Sequence, residues 1–278
     1  MIIIVCGAGT MGSGIAESAA RAGYKTVLYD VSSEMVNRSK SSIEKNLEQQ
    51  VNKKKLSADE KILTLERLSL TSNISECRGD IIIEAIVENI EAKTALYRHI
   101  AEINESSTIF ASNTSSLSIS AIAKEIPNPG RVCGMHFFNP AQVMKLVEVV
   151  EGDQTSQWVT EKVTDLARTM GKVPVTCKDS PGFIVNRVAR HYYLESLEIL
   201  QNGIADVEQI DNILESAGFR MGPFRLMDLI GNDINYAVSK SLYEACGKPV
   251  RFRPSPIQAD KVKQGELGRK TSKGYYIY

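Results

Sequence analysis

Cysteine, histidine and tryptophan are scarce in this 278-residue chain, which has five, three and one of them. The cysteines stand far apart, at positions 6, 77, 133, 177 and 246, and no Cys-x-x-Cys pair occurs. This spacing excludes a disulfide framework and offers no zinc site. We therefore expect reduced thiols in the protein core and no bound metal.

The chain also lacks an excess of either charge and any long apolar run. Lys plus Arg and Asp plus Glu both number 33, so there is no electrostatic footprint for nucleic acid or an anionic membrane. The apolar start has no basic flank and breaks at Gly7, unlike a signal peptide. No later run approaches the roughly 18 apolar residues of a membrane helix. We expect a cytoplasmic protein with neither a nucleic-acid nor a membrane partner.

A glycine-rich turn follows the first strand pattern. Ile2 to Cys6 is a continuous apolar, β-branched run, typical of a strand buried in a parallel sheet. It leads directly into Gly7-Ala8-Gly9-Thr10-Met11-Gly12 and then into a small, alanine-rich helix that stops at Gly23. In this context Gly7 makes the tight turn, Gly9 lets backbone N–H groups approach a pyrophosphate, and Gly12 lets the helix pack on the strand.

Asp30 indicates which dinucleotide binds. It closes the second strand, Lys25 to Tyr29, 18 residues after Gly12, where an acid hydrogen-bonds the adenine ribose. A carboxylate here repels a 2′-phosphate, and no arginine follows at positions 31–34, so NAD is favoured over NADP. The alternative is a glycine-rich turn with an unrelated acidic surface residue.

Strand and helix patterns alternate up to position 177 and then change. Strands are predicted at 69–72, 80–85, 108–111, 131–138, 145–150 and 173–177, with helical patterns at 33–68, 90–103 and 159–170. From Gly182 onward only helices are predicted, at 183–201, 206–217, 223–229, 233–245 and 255–264. We predict an α/β, Rossmann-type, doubly wound and mostly parallel sheet over 1–180, followed by a smaller all-α domain over 181–278.

His136 and Glu148 form the candidate catalytic pair. They lie in two apolar runs that flank Asn139-Pro140, a strand-turn-strand pattern. If the runs pair, Glu148 approaches His136, fixes its tautomer and stabilises its protonated form. That is a general base with an orienting acid. The alternative is an ordinary histidine near an unrelated strand glutamate.

Ligands of such a fold bind at the carboxyl ends of the strands. This places Glu84, Glu88, Asn113 and Ser115 near the cofactor. For Asn113 and Ser115 the competing interpretation is capping of a helix that begins near Ile119. The run Lys53-Lys54-Lys55 is either a solvated helix face or a contact with the phosphates of a large ligand.

Seven ordered blocks of the sequence resemble the 3-hydroxyacyl-CoA dehydrogenases, particularly the short bacterial-type 3-hydroxybutyryl-CoA dehydrogenases. The resemblance covers essentially the whole chain. The blocks are GAGTMGSGIA at 7–16, EAIVEN at 84–89, FASNTSSL at 110–117, HFFNPAQVMKLVEVV at 136–150, KDSPGFIVNR at 178–187, GPFRLMDLIGND at 222–233 and LGRKTSKGYYIY at 267–278.

The resemblance implies a role for individual residues. His136 corresponds to the catalytic base and Glu148 to its orienting partner, while the residues that hold substrate and histidine correspond to Ser115, Asn139 and Asn186. Glu88 and Lys93 match residues around the nicotinamide end of NAD, and one lysine of the 53–55 run, Lys53 or Lys54 foremost, is expected to face the CoA phosphates. The other expected NAD contacts are Gly7, Gly9, Thr10, Met11, Gly12, Asp30, Asn113, Ser115 and His136.

The resemblance implies an oxidoreductase of fatty acid metabolism that uses NAD to interconvert (S)-3-hydroxyacyl-CoA and 3-ketoacyl-CoA. The expected acyl group is short, such as 3-hydroxybutyryl. The resemblance also suggests a homodimer joined through the helical domains. One alternative is a dehydrogenase of a free hydroxy acid or sugar acid on the same fold. The other is a non-catalytic dinucleotide-binding protein, as some members of such families are in eye lenses.

Three residues depart from the usual pattern of the family. Gln142 stands where relatives often carry proline, Arg225 interrupts a usually acidic or apolar position, and Ser272 replaces a frequent glycine. None of them removes a chemical role. Arg225 either faces a cleft and changes the acyl preference or is an ordinary exposed helix arginine.

Overall fold

The computed structural model describes residues 1–278 and divides them into two compact units, Met1–Ser180 and Pro181–Tyr278. The first unit is built on one eight-stranded sheet, and the second consists of helices with short connections. The predicted fold class is confirmed. No helix of the chain is both long and apolar enough to cross a membrane.

The sheet of the first unit has the strand order β3-β2-β1-β4-β5-β6-β7-β8. All neighbouring strands are parallel except β6 and β7, which are antiparallel. Its core strands are continuous apolar runs, as expected for strands covered on both faces. The strands are β1 (Ile2–Cys6), β2 (Lys25–Tyr29), β3 (Leu68–Thr71), β4 (Ile81–Glu84), β5 (Ile109–Ser112), β6 (Val132–Phe137), β7 (Leu146–Glu151) and β8 (Val173–Lys178).

Six α-helices cover this sheet. The helical pattern predicted over 33–68 is two helices, because the chain turns at Lys53–Lys55 and Ser57 then caps a new helix with its partner Glu60. The short helix α5 begins at Ile119, where the capping interpretation of Asn113 and Ser115 assumed the start of a helix. The helices are α1 (Thr10–Arg21), α2 (Ser33–Asn52), α3 (Ala58–Glu66), α4 (Ile90–Ile103), α5 (Ile119–Ala123) and α6 (Gln157–Thr169).

The second unit packs five helices around an apolar cluster that includes Tyr193, Leu197, Phe224 and Met227. All five helices were predicted, with ends shifted by a residue or two, which is the usual uncertainty of helix boundaries. They are α7 (Val185–Gln201), α8 (Val207–Ser216), α9 (Pro223–Ile230), α10 (Asn232–Ala245) and α11 (Pro256–Lys263).

Two buried aspartates fasten this helical unit. The Asp211 carboxylate accepts hydrogen bonds from the backbone N–H groups of Phe224 and Arg225 at 2.9 and 3.0 Å, at the start of α9. Asp228 accepts from the N–H groups of Tyr275 and Tyr276, both at 2.9 Å, and so holds the C-terminal segment. Both carboxylates are satisfied by donors that they meet only in the folded chain.

The departures from the family pattern have local explanations. Ser272 has φ of 58°, in the left-handed region, which explains why glycine is frequent at this position. Arg225 is neither unpaired nor fully exposed, because its guanidinium lies 3.1 Å from Glu215 and stacks on the ring of Tyr276.

The cysteine prediction is partly wrong. All five thiols are free, and Cys6, Cys77 and Cys133 are buried as expected. Cys177 and Cys246 are only partly buried. Cys177 lies on the edge strand β8, which has a neighbour on one side only, and Cys246 follows the end of α10.

Gly12 lies where the backbone leaves no room for a side chain. A Cβ built at Gly12 would lie 1.7 Å from the carbonyl oxygen of Gly7, whereas one at Gly9 meets nothing within 4 Å. We expect Gly12→Ala to cost about 3 kcal/mol of stability, because α1 must move away from the turn. Gly9→Ala should cost less than about 1 kcal/mol. Thermal unfolding measured by calorimetry should show a midpoint roughly 5–10 °C lower for Gly12→Ala only, and equal losses would contradict the packing described.

Candidate active site

The carboxyl ends of β1, β4, β5 and β6 lie along one edge of the sheet. The chain order changes direction between β1 and β4, and in open α/β sheets ligands bind outside the strand ends at this kind of switch point. Backbone bonds continue the ladder past the strands, from Ala85 N to the Cys6 carbonyl and from Asn113 N to the Glu84 carbonyl, both at 2.7 Å. The segments that follow these strands are therefore held next to one another.

The glycine turn leaves room for a phosphate. Gly7 has φ of 106°, and a Cβ there would lie 2.5 Å from the Ala85 carbonyl oxygen, so only glycine fits between the two strand ends. Gly9 is the N-cap of α1 and has open space on the side where a Cβ would stand. No side chain caps this helix start, so a bound ligand can accept hydrogen bonds from its first N–H groups. The residues present therefore fit a dinucleotide pyrophosphate.

Asp30 is tied to the same turn. Its Oδ2 accepts a hydrogen bond from Ala8 N at 2.8 Å, and its Oδ1 accepts one from Ser32 N at 3.0 Å. The carboxylate is thus fixed beside the glycine turn by two backbone donors. This is the position from which an acid bonds an adenine ribose.

A cavity of about 220 Å³ opens beside the turn, between α1 and α2. We call it the glycine-turn cavity. Its wall includes the turn itself and the side chain of Gln142, which reaches over from the segment after β6. It is lined by Ala8, Gly9, Thr10, Ser13, Gly14, Glu17, Met35, Arg38, Ser39, Ser42, Ile43, Asn46 and Gln142.

His136 and Glu148 are in direct contact. They occupy directly opposite positions of the antiparallel pair β6–β7, and His136 Nδ1 lies 2.8 Å from Glu148 Oε2. The two residues are 6% and 1% exposed, so this hydrogen bond is shielded from water. The His136 ring also lies against Phe138, with centroids 4.6 Å apart. The predicted approach of the acid to the imidazole is present in the structure.

Glu88 organises the loop that carries Ser115. Its Oε1 accepts hydrogen bonds from Thr114 Oγ1 at 2.6 Å, Ser115 N at 2.9 Å and Ser116 N at 3.1 Å. The capping alternative for Ser115 is wrong, because Ser118 caps α5. Capping is wrong for Asn113 as well, whose Oδ1 accepts from Phe137 N at 2.8 Å and so joins the ends of β5 and β6.

Lys93 is buried behind Glu88. Its Nζ lies 2.6 Å from Glu84 Oε1 and 3.2 Å from Glu88 Oε2, and the lysine is 1% exposed. Glu84 is fully buried and also accepts from Ser112 Oγ at 2.7 Å. The sequence placed Glu84 near the cofactor but did not show this pairing. The sequence did contain a signal for it, because Glu84 directly follows the buried run Ile81 to Ile83. A buried carboxylate needs a cationic or hydrogen-bonding partner.

The remaining predicted residues belong to other segments of the chain. Asn139 is exposed in the connection between β6 and β7, next to the cis peptide bond to Pro140. Lys53 and Lys54 are exposed at the end of α2. Asn186 lies in the first turn of α7, in the second unit. The chain has no group of three or more His, Cys, Asp or Glu side chains that could hold a metal ion.

A dinucleotide turn and a buried histidine–carboxylate pair on one doubly wound sheet define the class of nicotinamide-dependent dehydrogenases. Comparison with known families identifies the branch. Residues 2–180 match the model of the NAD binding domain of 3-hydroxyacyl-CoA dehydrogenase, and residues 182–278 match the model of its C-terminal domain. The chain belongs to the 3-hydroxyacyl-CoA dehydrogenase family, which confirms the resemblance and the NAD prediction.

Individual relatives extend over the whole chain. The 3-hydroxyadipyl-CoA dehydrogenase of Escherichia coli K12 is 47% identical over 276 residues, 99% of this chain and 58% of that protein. A crystal structure of 3-hydroxybutyryl-CoA dehydrogenase from E. coli K12 matches with a TM-score of 0.97 and 46% identity, over 100% of this chain and 59% of the other. The crystal structure of (S)-3-hydroxybutyryl-CoA dehydrogenase from Ralstonia eutropha matches with a TM-score of 0.95 and 37% identity. This match covers 100% of this chain and 98% of the other. The chain thus spans less than two thirds of the two E. coli proteins.

The bonds around Glu88 predict an acid-sensitive step in stability. Burial alone would raise its pKa, but the Lys93 ammonium and the hydrogen bonds of Thr114 to Ser116 outweigh burial and hold the pKa below its usual range. A depressed carboxyl pKa contributes stability above the unfolded value of about 4.3, and this contribution is lost as the pH falls through the folded pKa. We expect Glu88→Gln to lower the unfolding midpoint at neutral pH and to flatten its decline between about pH 5 and pH 3.

The matched control for this prediction is Glu102→Gln, which removes an exposed carboxylate from α4, the helix that follows Glu88. The unfolding midpoint of this variant should equal that of the wild type at every pH. A Glu88→Gln curve parallel to the wild type throughout the acid range would show that Glu88 contributes no pH-dependent stability.

Proposed function

We propose that this protein is an NAD-dependent oxidoreductase that interconverts (S)-3-hydroxyacyl-CoA and 3-ketoacyl-CoA thioesters of short chain length. The observation that carries the proposal is the buried contact of 2.8 Å between His136 Nδ1 and Glu148 Oε2. It lies on the sheet edge that also carries the glycine turn and Asp30. This contact supports the proposal that His136 is a base oriented by Glu148.

The pair suits the oxidation of a secondary alcohol. Removal of the hydride requires a base for the hydroxyl proton, and imidazole is the side chain best suited to exchange protons near neutrality. Because Nδ1 is bonded to Glu148, the proton must pass through Nε2. The carboxylate stabilises the imidazolium that forms. When bound, the nicotinamide ring of NAD would accept the hydride in this direction, and that of NADH would supply it in the reverse direction. In the reverse direction the imidazolium returns the proton to the developing alkoxide.

The cofactor contacts follow from the strand ends. The N–H groups at the start of α1, with Gly7, Gly9, Thr10, Met11 and Gly12, would hold the pyrophosphate. Asp30 would hold the adenine ribose. We assign the nicotinamide end to Glu88, Asn113, Ser115 and His136, with Lys93 acting through Glu88, which it contacts at 3.2 Å.

The substrate contacts are proposed from residues of both units. Ser115 and Asn139 of the first unit and Asn186 of the second would donate to the substrate oxygen, a role in which a positioned donor stabilises developing negative charge. Lys53 or Lys54 would meet the CoA phosphates. Both lysines are exposed, which supports contact with a large anionic ligand.

We further propose a cytoplasmic homodimer joined through the second unit. Several large apolar side chains of that unit are exposed, including Ile213 at 68%, Phe219 at 51% and Ile234 at 50%. A contiguous patch of such side chains is typical of a surface that meets another protein. They support an interface between two copies of this chain.

Two related substrates are candidates. The E. coli relative with 47% identity is named for 3-hydroxyadipyl-CoA, which favours testing an acyl chain that ends in a carboxylate. The other alternative is a free hydroxy acid or sugar acid, handled by the same His–Glu pair without CoA.

The direct test is NADH oxidation with acetoacetyl-CoA, with 3-oxoadipyl-CoA and with free acetoacetate. We expect kcat/KM for one of the thioesters to exceed that for acetoacetate at least roughly a thousandfold, because binding of the CoA portion contributes to the transition state. His136→Gln should keep its NADH affinity and lose about 10² to 10⁴ in kcat. Glu148→Gln should also lower kcat and shift the pH profile.

His99→Gln is the matched control, since His99 is exposed on α4 away from the sheet edge. It should have wild-type kinetics. Equal rates with acetoacetate and the thioesters would refute the CoA assignment, and a fully active His136→Gln enzyme would refute the base assignment.

A further inference from the structure

Two carboxylates share one buried ammonium group between β4 and α4. Lys93 Nζ lies 2.6 Å from Glu84 Oε1 and 3.2 Å from Glu88 Oε2. We call these three side chains the Lys93 cluster. Two carboxylates and one ammonium leave the cluster with one net negative charge. Glu88 and Lys93 belong to the proposed nicotinamide end of the cofactor site, whereas Glu84 does not touch that site.

Glu84 is held by donors on both of its oxygens. It is 0% exposed, and its Oε1 accepts hydrogen bonds from Lys93 Nζ at 2.6 Å and from Ile86 N at 2.7 Å. Its Oε2 accepts from Ser112 Oγ at 2.7 Å. A carboxylate that has lost its contact with water needs such donors, and those from charged groups are the strongest. Glu84 is therefore a fixed negative charge inside the protein.

The shared ammonium lies closer to Glu84 than to Glu88. The side chains of Glu84 and Lys93 are 0% and 1% exposed, whereas that of Glu88 is 37% exposed. The Oε1 atom of Glu88 meets only neutral donors in the Ser115 loop, such as Ser115 N at 2.9 Å. The positive charge is thus matched mainly by Glu84. The net negative charge of the Lys93 cluster falls on Glu88, at the end that reaches the surface.

Two further charges lie near Glu88 at the start of α4. The helix dipole contributes roughly half a positive charge at its N-terminus, and Glu91 in the first turn contributes a carboxylate. The N-cap residue Asn89 and Glu91 are both exposed, so water and salt screen these charges. They also oppose each other in sign. The buried Lys93 cluster is the charge that solvent weakens least.

The two redox forms of a nicotinamide differ in charge. The ring is positively charged in NAD⁺ and neutral in NADH, and charge placed near the ring is one of the means by which a protein tunes this cofactor. A fixed negative charge attracts the oxidised ring and has no comparable attraction for the reduced ring. The charge of the Lys93 cluster therefore bears on which form binds more tightly.

We propose that Glu84 is a positioning residue that sets the charge beside the nicotinamide. By holding Lys93, it leaves Glu88 with a net negative charge that favours bound NAD⁺ over bound NADH. Without the Glu84 charge, Lys93 would neutralise Glu88. This inference rests on the proposed function, because the nicotinamide must lie beside Glu88. It adds a residue that acts without touching the cofactor.

Fluorescence titration of the full-length protein tests the proposal. The Kd of NADH is measured from its own emission, and the Kd of NAD⁺ from displacement of NADH. Glu84→Gln removes the charge and keeps the shape, because the amide oxygen can accept from Lys93 and Ile86 N and the amide nitrogen can donate to Ser112 Oγ. We expect the ratio of the Kd of NAD⁺ to the Kd of NADH to rise roughly threefold to tenfold, the effect of one unit charge in a partly buried site.

Glu88→Gln is the second variant, and it keeps the test available if the buried substitution does not fold. It removes the same unit of charge from the partly exposed end of the Lys93 cluster. The remaining pair of Glu84 and Lys93 is neutral, so the ratio should rise in the same direction. The matched control is Glu91→Gln, which removes an exposed carboxylate from the same helix start and should keep the wild-type ratio.

The ratio separates an effect of charge from an effect of shape. A loss of shape alone would weaken NAD⁺ and NADH equally and leave the ratio unchanged. An unchanged ratio in the folded variants, with both forms still bound, overturns this inference and leaves the proposed function standing. An equal rise in Glu91→Gln also overturns it, because any surface charge would then suffice. Failure of the wild type to bind either form would overturn the proposed function, and this inference with it.

Discussion

The antiparallel pairing of β6 with β7 is the constraint on which the candidate chemistry depends. The first six strands in sheet order are parallel, and their carboxyl ends collect the dinucleotide turn, Asp30 and the Ser115 loop on one edge. Reversal of the chain at Asn139-Pro140 brings β7 back along β6 and sets Glu148 directly opposite His136. A parallel β7 would need a crossover and would lose this register. The contact between the proposed base and its proposed orienting acid therefore depends on one hairpin.

Three carboxylates of this protein accept hydrogen bonds that join segments distant in sequence. Asp30 holds the glycine turn, Glu88 holds the Ser115 loop, and Asp228 holds the C-terminal segment of the second unit. Each receives backbone N–H donors, which are fixed more rigidly than side chains. The buried Lys93 contacts both Glu84, at the end of β4, and Glu88. It thereby connects the sheet to the carboxylate that holds the Ser115 loop.

Much of the fold could be predicted from local signals. Continuous β-branched runs predict the buried strands of the sheet. The Gly7 to Gly12 turn predicts the cofactor site, because glycine allows backbone conformations and close approaches that other residues do not. The roles of Glu84 and Lys93 could not be read, since their contact depends on how α4 packs behind β4. The partial exposure of Cys177 follows from strand order, which composition does not encode.

The central claim is that Glu148 fixes the His136 ring so that Nε2 exchanges the proton with substrate. The most direct measurement is ¹⁵N NMR of histidine-labelled protein, with the His136→Gln spectrum used for assignment. In the neutral ring the proton should reside on Nδ1, within the hydrogen bond to Glu148, and Glu148→Gln should alter that signal. A neutral His136 ring with its proton on Nε2 would contradict the account.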